Sequence, residues 1–323
     1  MMSFALLVVL VLAYAVGKRF GLCGRDRSKS QQRNSLRRLQ PVTRKSDRPN
    51  KERGVFTTDP AGNPLPFKYG FADNVGLRDH MEDRHSVSGN ITGDVSKCFV
   101  GVYDGHGGSG ASTFCSENMR RFLENSLRQE RDPEEALRRA ILRADEEYLA
   151  RGEDDGTTLV AALFLGQRLF VANVGDSRSV LVQSDGTAIA MSYDHKPGRK
   201  DEKSRIEALG GRIFHFGVWR VEGILAVSRA IGDRMLKRFV TSDPEFEQRT
   251  IDAERDAYIV LATDGVWDVI SNRDCGRLIC RQPDAQTAAE VLLTEAIRRG
   301  SADNLCCVVV DLRSPSVIDL SAD

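Results

Sequence analysis

Three apolar runs in this chain each end in an aspartate at a tight turn, and this pattern constrains the fold more than any other feature. The runs are Phe99–Asp104, Val171–Asp176 and Ile259–Asp264. Short runs rich in Val, Ile and aromatic residues and interrupted by Gly are typical of strands buried in a sheet. Carboxylates gathered along one sheet edge repel one another strongly at low dielectric. We therefore expect a hard divalent cation at this edge, Mg²⁺ or Mn²⁺, because oxygen ligands of this kind select such ions.

Charge is unevenly distributed along the 323 residues, although Lys plus Arg and Asp plus Glu each number 46. Between Lys18 and Arg53 there are thirteen basic residues against three acidic ones. The rest of the chain is therefore acidic, which suits a carboxylate-rich metal site. An acidic domain without a base-stacking aromatic platform also argues against nucleic acid as a partner.

The seven cysteines are odd in number and include no Cys-x-x-Cys pair. Several of them lie in apolar runs, as free buried cysteines do in a reducing compartment. We therefore predict neither a zinc site nor a disulfide framework. We also predict that no cysteine acts as the nucleophile.

The first residues include an apolar run, Phe4–Val16, that is followed by Lys18 and Arg19. Residues 1–17 are just long enough to span a bilayer, which takes about 17–25 residues. A cleaved signal peptide has a suitable site at Ala13–Ala15, but the basic n-region of such peptides is missing. A buried core helix is disfavoured because a long polar stretch follows. Since a basic flank stays cytoplasmic, we predict a single-pass membrane anchor with the catalytic part in the cytoplasm.

Residues 18–66 are rich in Arg, Ser, Asn and Pro and show little apolar periodicity, which predicts a basic disordered tether. Attraction to anionic lipid, on the order of 1 kcal/mol per basic residue near the surface, is compatible with the same composition. Cys23 lies just inside the predicted anchor, where an acylated and an unmodified cysteine both fit the pattern.

From Tyr69 onward the pattern of secondary structure becomes dense. Predicted strands come in adjacent pairs, such as Leu159–Leu165 and Leu169–Val174 with a Gly-containing turn between them, which favours antiparallel pairing. The other predicted strands are Cys98–Tyr103, Ser179–Gln183, Ile224–Val227, Tyr258–Thr263 and Leu305–Asp311. The predicted helices are Ser109–Gln129, Pro133–Ala150, Arg199–Leu209, Asn272–Cys280 and Ala285–Arg299.

The segment Gly76–Asp83 holds one guanidinium, Arg78, close to two carboxylates, Glu82 and Asp83. A planar guanidinium grips a tetrahedral phosphate through two parallel hydrogen bonds. Taken alone, the segment is also typical of a solvated polar loop with chance charge pairs.

Asp104 is followed by Gly105, His106 and two further glycines. Asp-Gly after a strand usually reflects turn chemistry, and we expect only that at Asp185-Gly186. Asp104 differs from such an ordinary turn because His106 follows two residues later and because the glycines let the backbone approach an ion closely.

Together, in this order and spacing, the motifs resemble the metal-dependent type 2C serine/threonine protein phosphatase family over roughly Tyr69 to Leu312. The segments most similar to its membrane-anchored 1-like subgroup are Val171–Arg178, Asp194–Pro197, Trp219–Arg229 and Gly232-Asp233. The resemblance implies an α+β fold, a four-layer α-β-β-α sandwich of two antiparallel sheets flanked by helix pairs. It also implies a catalytic domain over residues 67–314, with a flap at about 192–221 and a C-terminal tail over 315–323.

The same resemblance implies metal ligands. The ligands of one metal would be Glu82, Asp104 and the Gly105 carbonyl. The ligands of the other would be Asp104, Asp264 and Asp303. Asp83 would act on the first metal through water, and Asp176 and Asp268 would serve a weaker third metal or its waters.

The resemblance also implies roles around the metals. Arg78 would clamp the substrate phosphate and His106 would be the general acid. Asn304 would support the last carboxylate, and Thr158 suits either an orienting role or simple β-propensity. The flap carries basic residues that suit substrate steering or a solvated helix face equally well: Lys196, Arg199, Lys200, Lys203, Arg205 and Arg212.

We therefore predict hydrolysis of phosphoserine and phosphothreonine in proteins by a water activated between two Mg²⁺ or Mn²⁺ ions. The expected partners are phosphorylated proteins, protein kinases among them, and the membrane that holds the anchor. The subgroup implies the endoplasmic reticulum, and we expect a monomer. The alternatives are a catalytically weak scaffold or docking member of the same fold, and a metal-dependent phosphoesterase acting on a nucleotide or nucleic acid.

Overall fold

The computed structural model describes residues 54–313, which fold into two antiparallel sheets packed face to face between layers of helices. The predicted α+β fold is thereby confirmed. The strands are β1 (Phe56–Thr58), β2 (Pro64–Asn74), β3 (Arg84–Ser88), β4 (Lys97–Tyr103), β5 (Gly105–His106), β6 (Gly156–Thr157), β7 (Leu159–Leu165), β8 (Arg168–Val174), β9 (Arg178–Gln183), β10 (Ala188–Ala190), β11 (Ile213–Phe216), β12 (Val218–Val221), β13 (Ile231–Gly232), β14 (Glu245–Thr250), β15 (Asp256–Ala262) and β16 (Leu305–Asp311). The helices are α1 (Gly110–Leu127), α2 (Pro133–Leu149), α3 (Lys200–Ala208), α4 (Asp264–Trp267), α5 (Asn272–Ile279) and α6 (Ala285–Arg298), with a 3₁₀ turn at Arg234–Leu236.

One sheet has six strands in the order β1-β2-β16-β15-β9-β10, and the other has five in the order β14-β8-β7-β4-β3. Neighbouring strands in both sheets are antiparallel, as predicted. Strands β7, β15 and β16 are buried almost throughout, because the other sheet covers one face and helices cover the opposite face. Burial on both faces explains why the sequences of these strands are continuous apolar runs.

Three apolar clusters hold the layers together. Phe67, Val102 and Leu261 belong to the cluster between the two sheets. Helices α1 and α2 pack on the five-stranded sheet, and helices α4, α5 and α6 pack on the six-stranded sheet. Because each fully buried large apolar side chain contributes about 1.5–3 kcal/mol, these clusters form a rigid frame for the loops at the sheet edge.

Most of the predicted helices and strands begin and end within two residues of the observed ones. The strand predicted at Ile224–Val227 is wrong. This segment is a turn with one isolated bridge between Val221 and Leu225. The chain reverses there because Glu222 and Gly223 have positive φ angles of 50° and 73°.

Residues 56–66, assigned to the tether from their composition, belong to the sheet, since they include β1 and the start of β2. Polar residues and prolines give this segment the composition of a linker, but the pairing of β1 with β2 makes it the edge of the sheet. The rest of the tether, the predicted anchor, Cys23 and the tail at 315–323 lie outside the described residues. Within residues 54–313, no helix has both the length and the apolar character needed to cross a bilayer.

Candidate active site

The three aspartates that end apolar runs meet at one edge of the sandwich. Asp104 follows β4 and Asp176 follows β8, both in the five-stranded sheet, whereas Asp264 follows β15 in the other sheet and begins α4. One carboxylate oxygen from each of the three lies within 4.8 Å of the other two. Residues separated by more than 70 positions in the sequence thus form one cluster of hard oxygen donors.

The pKa values of these carboxyls reflect their crowding. Burial and the neighbouring charge of Asp83 raise the pKa of Asp104 well above its ordinary value. Burial and the charge of Asp176 raise the pKa of Asp264 to about 7, and burial raises that of Asp83 to about 8. Buried carboxylates that repel one another in this way are stabilised by a bound cation. The donor set therefore fits Mg²⁺ or Mn²⁺.

The loop with Glu82 and Asp83 is held against the cluster by two side chains from the other end of the chain. Asn304 accepts a hydrogen bond from the Glu82 backbone N–H (2.7 Å) and donates to the carbonyls of Val75 and His80 (2.9 Å each). Thr263 donates to Asp83 Oδ2 at 2.8 Å. The amide of Asn304 therefore fixes the loop that carries Glu82.

Gly105 lies directly against this loop. A Cβ at Gly105 would be 2.6 Å from the Glu82 carbonyl oxygen and 2.8 Å from Ser112 Oγ. No side chain fits there, so glycine is required for the close approach of the Glu82 loop to the strand that follows Asp104.

Thr158 connects the turns that carry Asp104 and Asp176. Its backbone N–H donates to the Asp104 carbonyl (2.9 Å), and its hydroxyl accepts from the Asp104 N–H (3.3 Å). The same hydroxyl hydrogen-bonds to Ser177 Oγ at 2.7 Å. Thr158 thus has an orienting position as well as β-propensity.

Arg78 and Asp303 lie together at the open side of the cluster. Arg78 Nη2 is 2.6 Å from Asp303 Oδ2, and the two side chains are 61% and 38% exposed. The guanidinium predicted to bind phosphate therefore lies beside a predicted metal ligand and is open to solvent. Asp268 lies at the end of α4, one turn after Asp264, where burial raises its pKa above the ordinary value.

His106 contacts a residue to which the sequence analysis assigned no role. Its Nε2 lies 3.0 Å and 2.9 Å from the two carboxylate oxygens of Asp233. Burial lowers the pKa of His106, but the hydrogen bond and charge of Asp233 outweigh this effect and the net pKa is raised. A Cβ at Gly156 would lie 2.3 Å from Asp233 Oδ2 and 2.6 Å from His106 Nε2, so this glycine makes room for the pair.

Lys196, predicted only as a flap cation, reaches into the cluster. Its Nζ contacts Asp176 Oδ2 and lies 3.8 Å from Asp264 Oδ2. Burial lowers the pKa of Lys196, but the charge of Asp176 outweighs this and raises it above the ordinary value. Lys196 therefore stays protonated and competes with any cation for these carboxylates.

The neighbouring His195 was also missed. It is fully buried, and its Nδ1 accepts a hydrogen bond from the Gly175 backbone N–H at 3.0 Å. Gly175 has a φ of +107°, which favours glycine, and precedes Asp176 directly. The only sequence signal for these roles was the segment Asp194–Pro197 within the family resemblance.

The other flap cations are mostly engaged with acids of the same domain. Arg199 and Arg205 pair with Glu245 and Glu202, and Arg212 pairs with Glu222 at 3.3 Å. A further acidic group, Asp201 with Glu202 and Glu245, is therefore already neutralised by arginines. Substrate steering by these flap cations is not supported by this pairing.

The cysteines offer no nucleophile at this edge. The Cys-x₅-Arg spacing of cysteine phosphatases occurs three times between residues 54 and 313, but the cysteines concerned are fully buried: Cys115, Cys275 and Cys307. Burial raises the pKa of each above the ordinary value, so these thiols are neither ionised nor accessible.

Comparisons with known proteins show the family of the chain. The family model for protein phosphatase 2C matches residues 67–305. The chain belongs to the protein phosphatase 2C family. Over 252 residues it is 42% identical to the probable protein phosphatase 2C 59 of Arabidopsis thaliana, covering 76% of this chain and 79% of that protein. It is also 43% identical over 249 residues to the probable protein phosphatase 2C 69 of the same plant, covering 76% and 70%.

Solved structures show the same fold. A sex-determining protein of C. elegans superposes with a TM-score of 0.70 at 28% identity, covering 77% of this chain and 65% of that one. The serine-threonine phosphatase 2C of Toxoplasma gondii superposes with a TM-score of 0.64 at 22% identity, covering 80% and 99%. As a member of the family shown by the family model and the curated relatives, the chain is a metal-dependent protein serine/threonine phosphatase, and the family uses Mg²⁺ or Mn²⁺.

Proposed function

We propose that this enzyme hydrolyses phosphoserine and phosphothreonine through a water activated between two divalent cations. The observation that carries the proposal is the convergence of the Asp104, Asp176 and Asp264 carboxylates within 4.8 Å. A phosphate-binding guanidinium, Arg78, lies beside the same edge through its contact with Asp303.

Two overlapping sets of donors would hold the ions. The first set is Glu82, Asp104 and the Gly105 carbonyl, with Asp83 acting through water. The second set is Asp104, Asp264 and Asp303. Asp176 and Asp268 would serve a third, weaker ion. When bound, the ions supply a lowered pKa for the nucleophilic water and neutralise charge on the phosphoryl oxygens.

The guanidinium of Arg78 binds the substrate phosphate. Arg78 forms two parallel hydrogen bonds to the phosphoryl oxygens, a geometry that a guanidinium provides and an ammonium does not. Its exposure leaves it free to turn from Asp303 toward an incoming phosphate. The open side of the site then accommodates a phosphorylated side chain on a protein surface.

The departing serine or threonine alkoxide is a poor leaving group and requires a proton. His106 donates it, and the hydrogen bond from His106 to Asp233 favours the protonated imidazole. General acid catalysis of this kind typically contributes about 10²–10⁴-fold.

We further propose that the enzyme acts at a membrane, anchored through residues 1–17 with its catalytic domain in the cytoplasm. The apolar run at Phe4–Val16 and the basic residues after it support this proposal. The proposed membrane is that of the endoplasmic reticulum, and the proposed oligomeric state is a monomer. The proposed substrates are phosphorylated proteins, including protein kinases.

Phosphate release from a phosphoserine peptide tests the catalytic proposal. We expect turnover with Mn²⁺ or Mg²⁺, loss of turnover in EDTA, and loss in D264N although the variant folds. Full turnover in chelator or in D264N would refute the metal assignment. Wild-type enzyme that binds phosphoproteins but releases no phosphate would instead identify a scaffold member of the fold.

A further inference from the structure

A second concave site lies between helix α5 and the turn that joins β9 to β10. It has a volume of about 660 Å³, and the residues that line it include Asp185, Asn272, Arg273, Arg277, Cys280 and Arg281. We call it the arginine cleft. The catalytic residues described above do not line it.

The three arginines of the cleft follow one another at intervals of four residues. This spacing places Arg273 and Arg277 on one face of α5, and Arg281 continues the row just beyond its end. At a rise of about 1.5 Å per residue, the row is about 12 Å long. It thus presents several guanidinium groups to a single extended ligand.

These three arginines are exposed. None of the three makes an ion pair or side-chain hydrogen bond with a residue between 54 and 313, in contrast to neighbouring arginines. Arg178 pairs with Asp194 at 2.7 Å and Arg299 with Asp274 at 2.8 Å.

The acids close to the cleft neutralise the row only in part. Asp185 keeps its negative charge, and its Oδ1 accepts a hydrogen bond from the Thr187 backbone N–H within its own turn, at 2.8 Å. Asp274 pairs with Arg299, and the charge of Arg277 also contributes to lowering the pKa of Asp274. A net positive cleft on an otherwise acidic domain is complementary to an anion.

The cleft is connected to the catalytic edge by strand β9. Arg178, which begins β9 two residues after Asp176, donates to Asn272 Oδ1 at 2.9 Å. In the turn that follows β9, a Cβ at Gly276 would lie 2.3 Å from the Gly186 carbonyl oxygen. Helix α5 therefore packs beside β9 and the turn that follows it, and the six residues of β9 span about 20 Å.

We propose that the arginine cleft binds a second phosphorylated residue of the protein substrate, distinct from the one being hydrolysed. Three guanidinium groups in a row suit phosphate because each forms paired, charge-assisted hydrogen bonds. An extended segment of about six residues covers the length of β9. The identification of the ligand as a phosphoprotein rests on the proposed function.

Binding is tested first with metal-free enzyme in EDTA, where substrate is not consumed. The probes are a peptide with one phosphoserine and a series with a second phosphoserine 4–12 residues away. We expect the second phosphate to tighten binding about 10-fold at the optimal spacing, and R273Q/R277Q/R281Q to lose that gain. The matched control R128Q/R131Q/R168Q removes the same charge from exposed positions elsewhere and should retain it.

Cys280 provides an independent readout, because it lines the cleft and is half-exposed while the other cysteines between 54 and 313 are buried. The doubly phosphorylated peptide should slow alkylation of Cys280, measured by mass spectrometry. If deleting residues 314–323 increases alkylation without any peptide, the chain's own acidic segment occupies the cleft and the proposal is wrong.

Turnover with Mn²⁺ separates this proposal from the catalytic one. For the doubly phosphorylated peptide we expect R273Q/R277Q/R281Q to raise KM about 10-fold with kcat unchanged, and to leave nitrophenyl phosphate turnover unaffected. An unchanged KM at every spacing would overturn the cleft assignment, and so would equal binding of a peptide that has Glu in place of the second phosphoserine. In either case, turnover of the singly phosphorylated peptide would still support the proposed function. Absence of phosphate release by wild-type enzyme would defeat the proposed function but not the binding result.

Discussion

At the scale of single residues, the site is governed by the balance between carboxylates and the few cations that reach them. Lys196 contacts Asp176 and approaches Asp264 to 3.8 Å, which places an ammonium where a weakly held ion would bind. Because the ammonium and a divalent ion cannot occupy the same space, we expect the lysine to set the affinity of that position.

Substitution K196M should therefore tighten binding of Mn²⁺ at the weakest position by about 10-fold, since a competing charge at short range is removed. Calorimetric titration of the metal-free protein with Mn²⁺ measures both the number of ions and their affinities. K203M is the control, because the Lys203 side chain on the flap helix α3 is half-exposed and pairs with Glu207. An identical titration for K196M and wild type would show that the lysine does not compete.

A second prediction at the scale of single residues concerns the His106–Asp233 pair. H106A should lower turnover of a phosphoserine peptide by about 10²–10⁴-fold and that of nitrophenyl phosphate only slightly, because nitrophenolate leaves without a proton. D233N should show the same selectivity with a smaller loss, since Asp233 acts through His106. Steady-state rates on the two substrates measure this, and equal losses on both would remove His106 from the acid role.

At the scale of elements, ion pairs attach the flap helix α3 to the domain. Glu202 in α3 is 1% exposed and pairs with Arg229 at 2.7 Å and Arg205 at 2.8 Å. Burial raises the pKa of Glu202, but its hydrogen bonds to Arg229 and Arg205 outweigh this and lower it to about 2. The flap next to Lys196 is thus held by a buried charge network.

The sign of the pH dependence follows from that lowered pKa. Ionised Glu202 stabilises the fold above its ordinary pKa of 4.5, and this stabilisation is lost as the pH falls from 4.5 towards 2. E202Q should lower the free energy of unfolding by about 3 kcal/mol at pH 7, because it removes the carboxylate that pairs with the half-buried Arg205 and one of the two that pair with Arg229.

Urea unfolding of wild type and E202Q at several pH values measures this prediction. The difference between the two should shrink as the pH drops below 4.5. E207Q serves as control, since Glu207 lies on the same helix but is exposed. A difference that stays constant with pH would show that the charge of Glu202 does not contribute.

At the scale of the whole molecule, the two sheets bring mutually repelling carboxylates together, and the core must compensate for that repulsion when no cation is bound. Asp104 and Asp176 come from one sheet and Asp264 from the other. A bound ion therefore links the two sheets, and ligands that bind only the folded state raise its stability.

Mn²⁺ should accordingly raise the melting temperature of wild type, and EDTA should reverse the effect. D264N should melt about 2–4 °C higher than wild type in EDTA, because one repelling charge is gone, and should gain less on addition of Mn²⁺. Differential scanning calorimetry measures both effects, with D185N as a control outside the site. A D264N protein that melts lower in EDTA would argue against repulsion among these carboxylates.

Much of the fold and part of the candidate site could be predicted from the sequence alone. Strands such as β7, β15 and β16, the helices other than the short α4, and the acids at Asp104, Asp176 and Asp264 were predictable, because burial imposes apolar runs and the turns that end them place a carboxylate at the sheet edge. The largely buried strand β2 was not predicted. Edge strands such as β1 were not predictable, since pairing and not composition makes them strands. Only the tertiary structure placed Asp233 on His106, Lys196 on Asp176 and the three arginines over an open cleft, because contacts between distant, locally ordinary polar residues depend on how the sheets and loops pack.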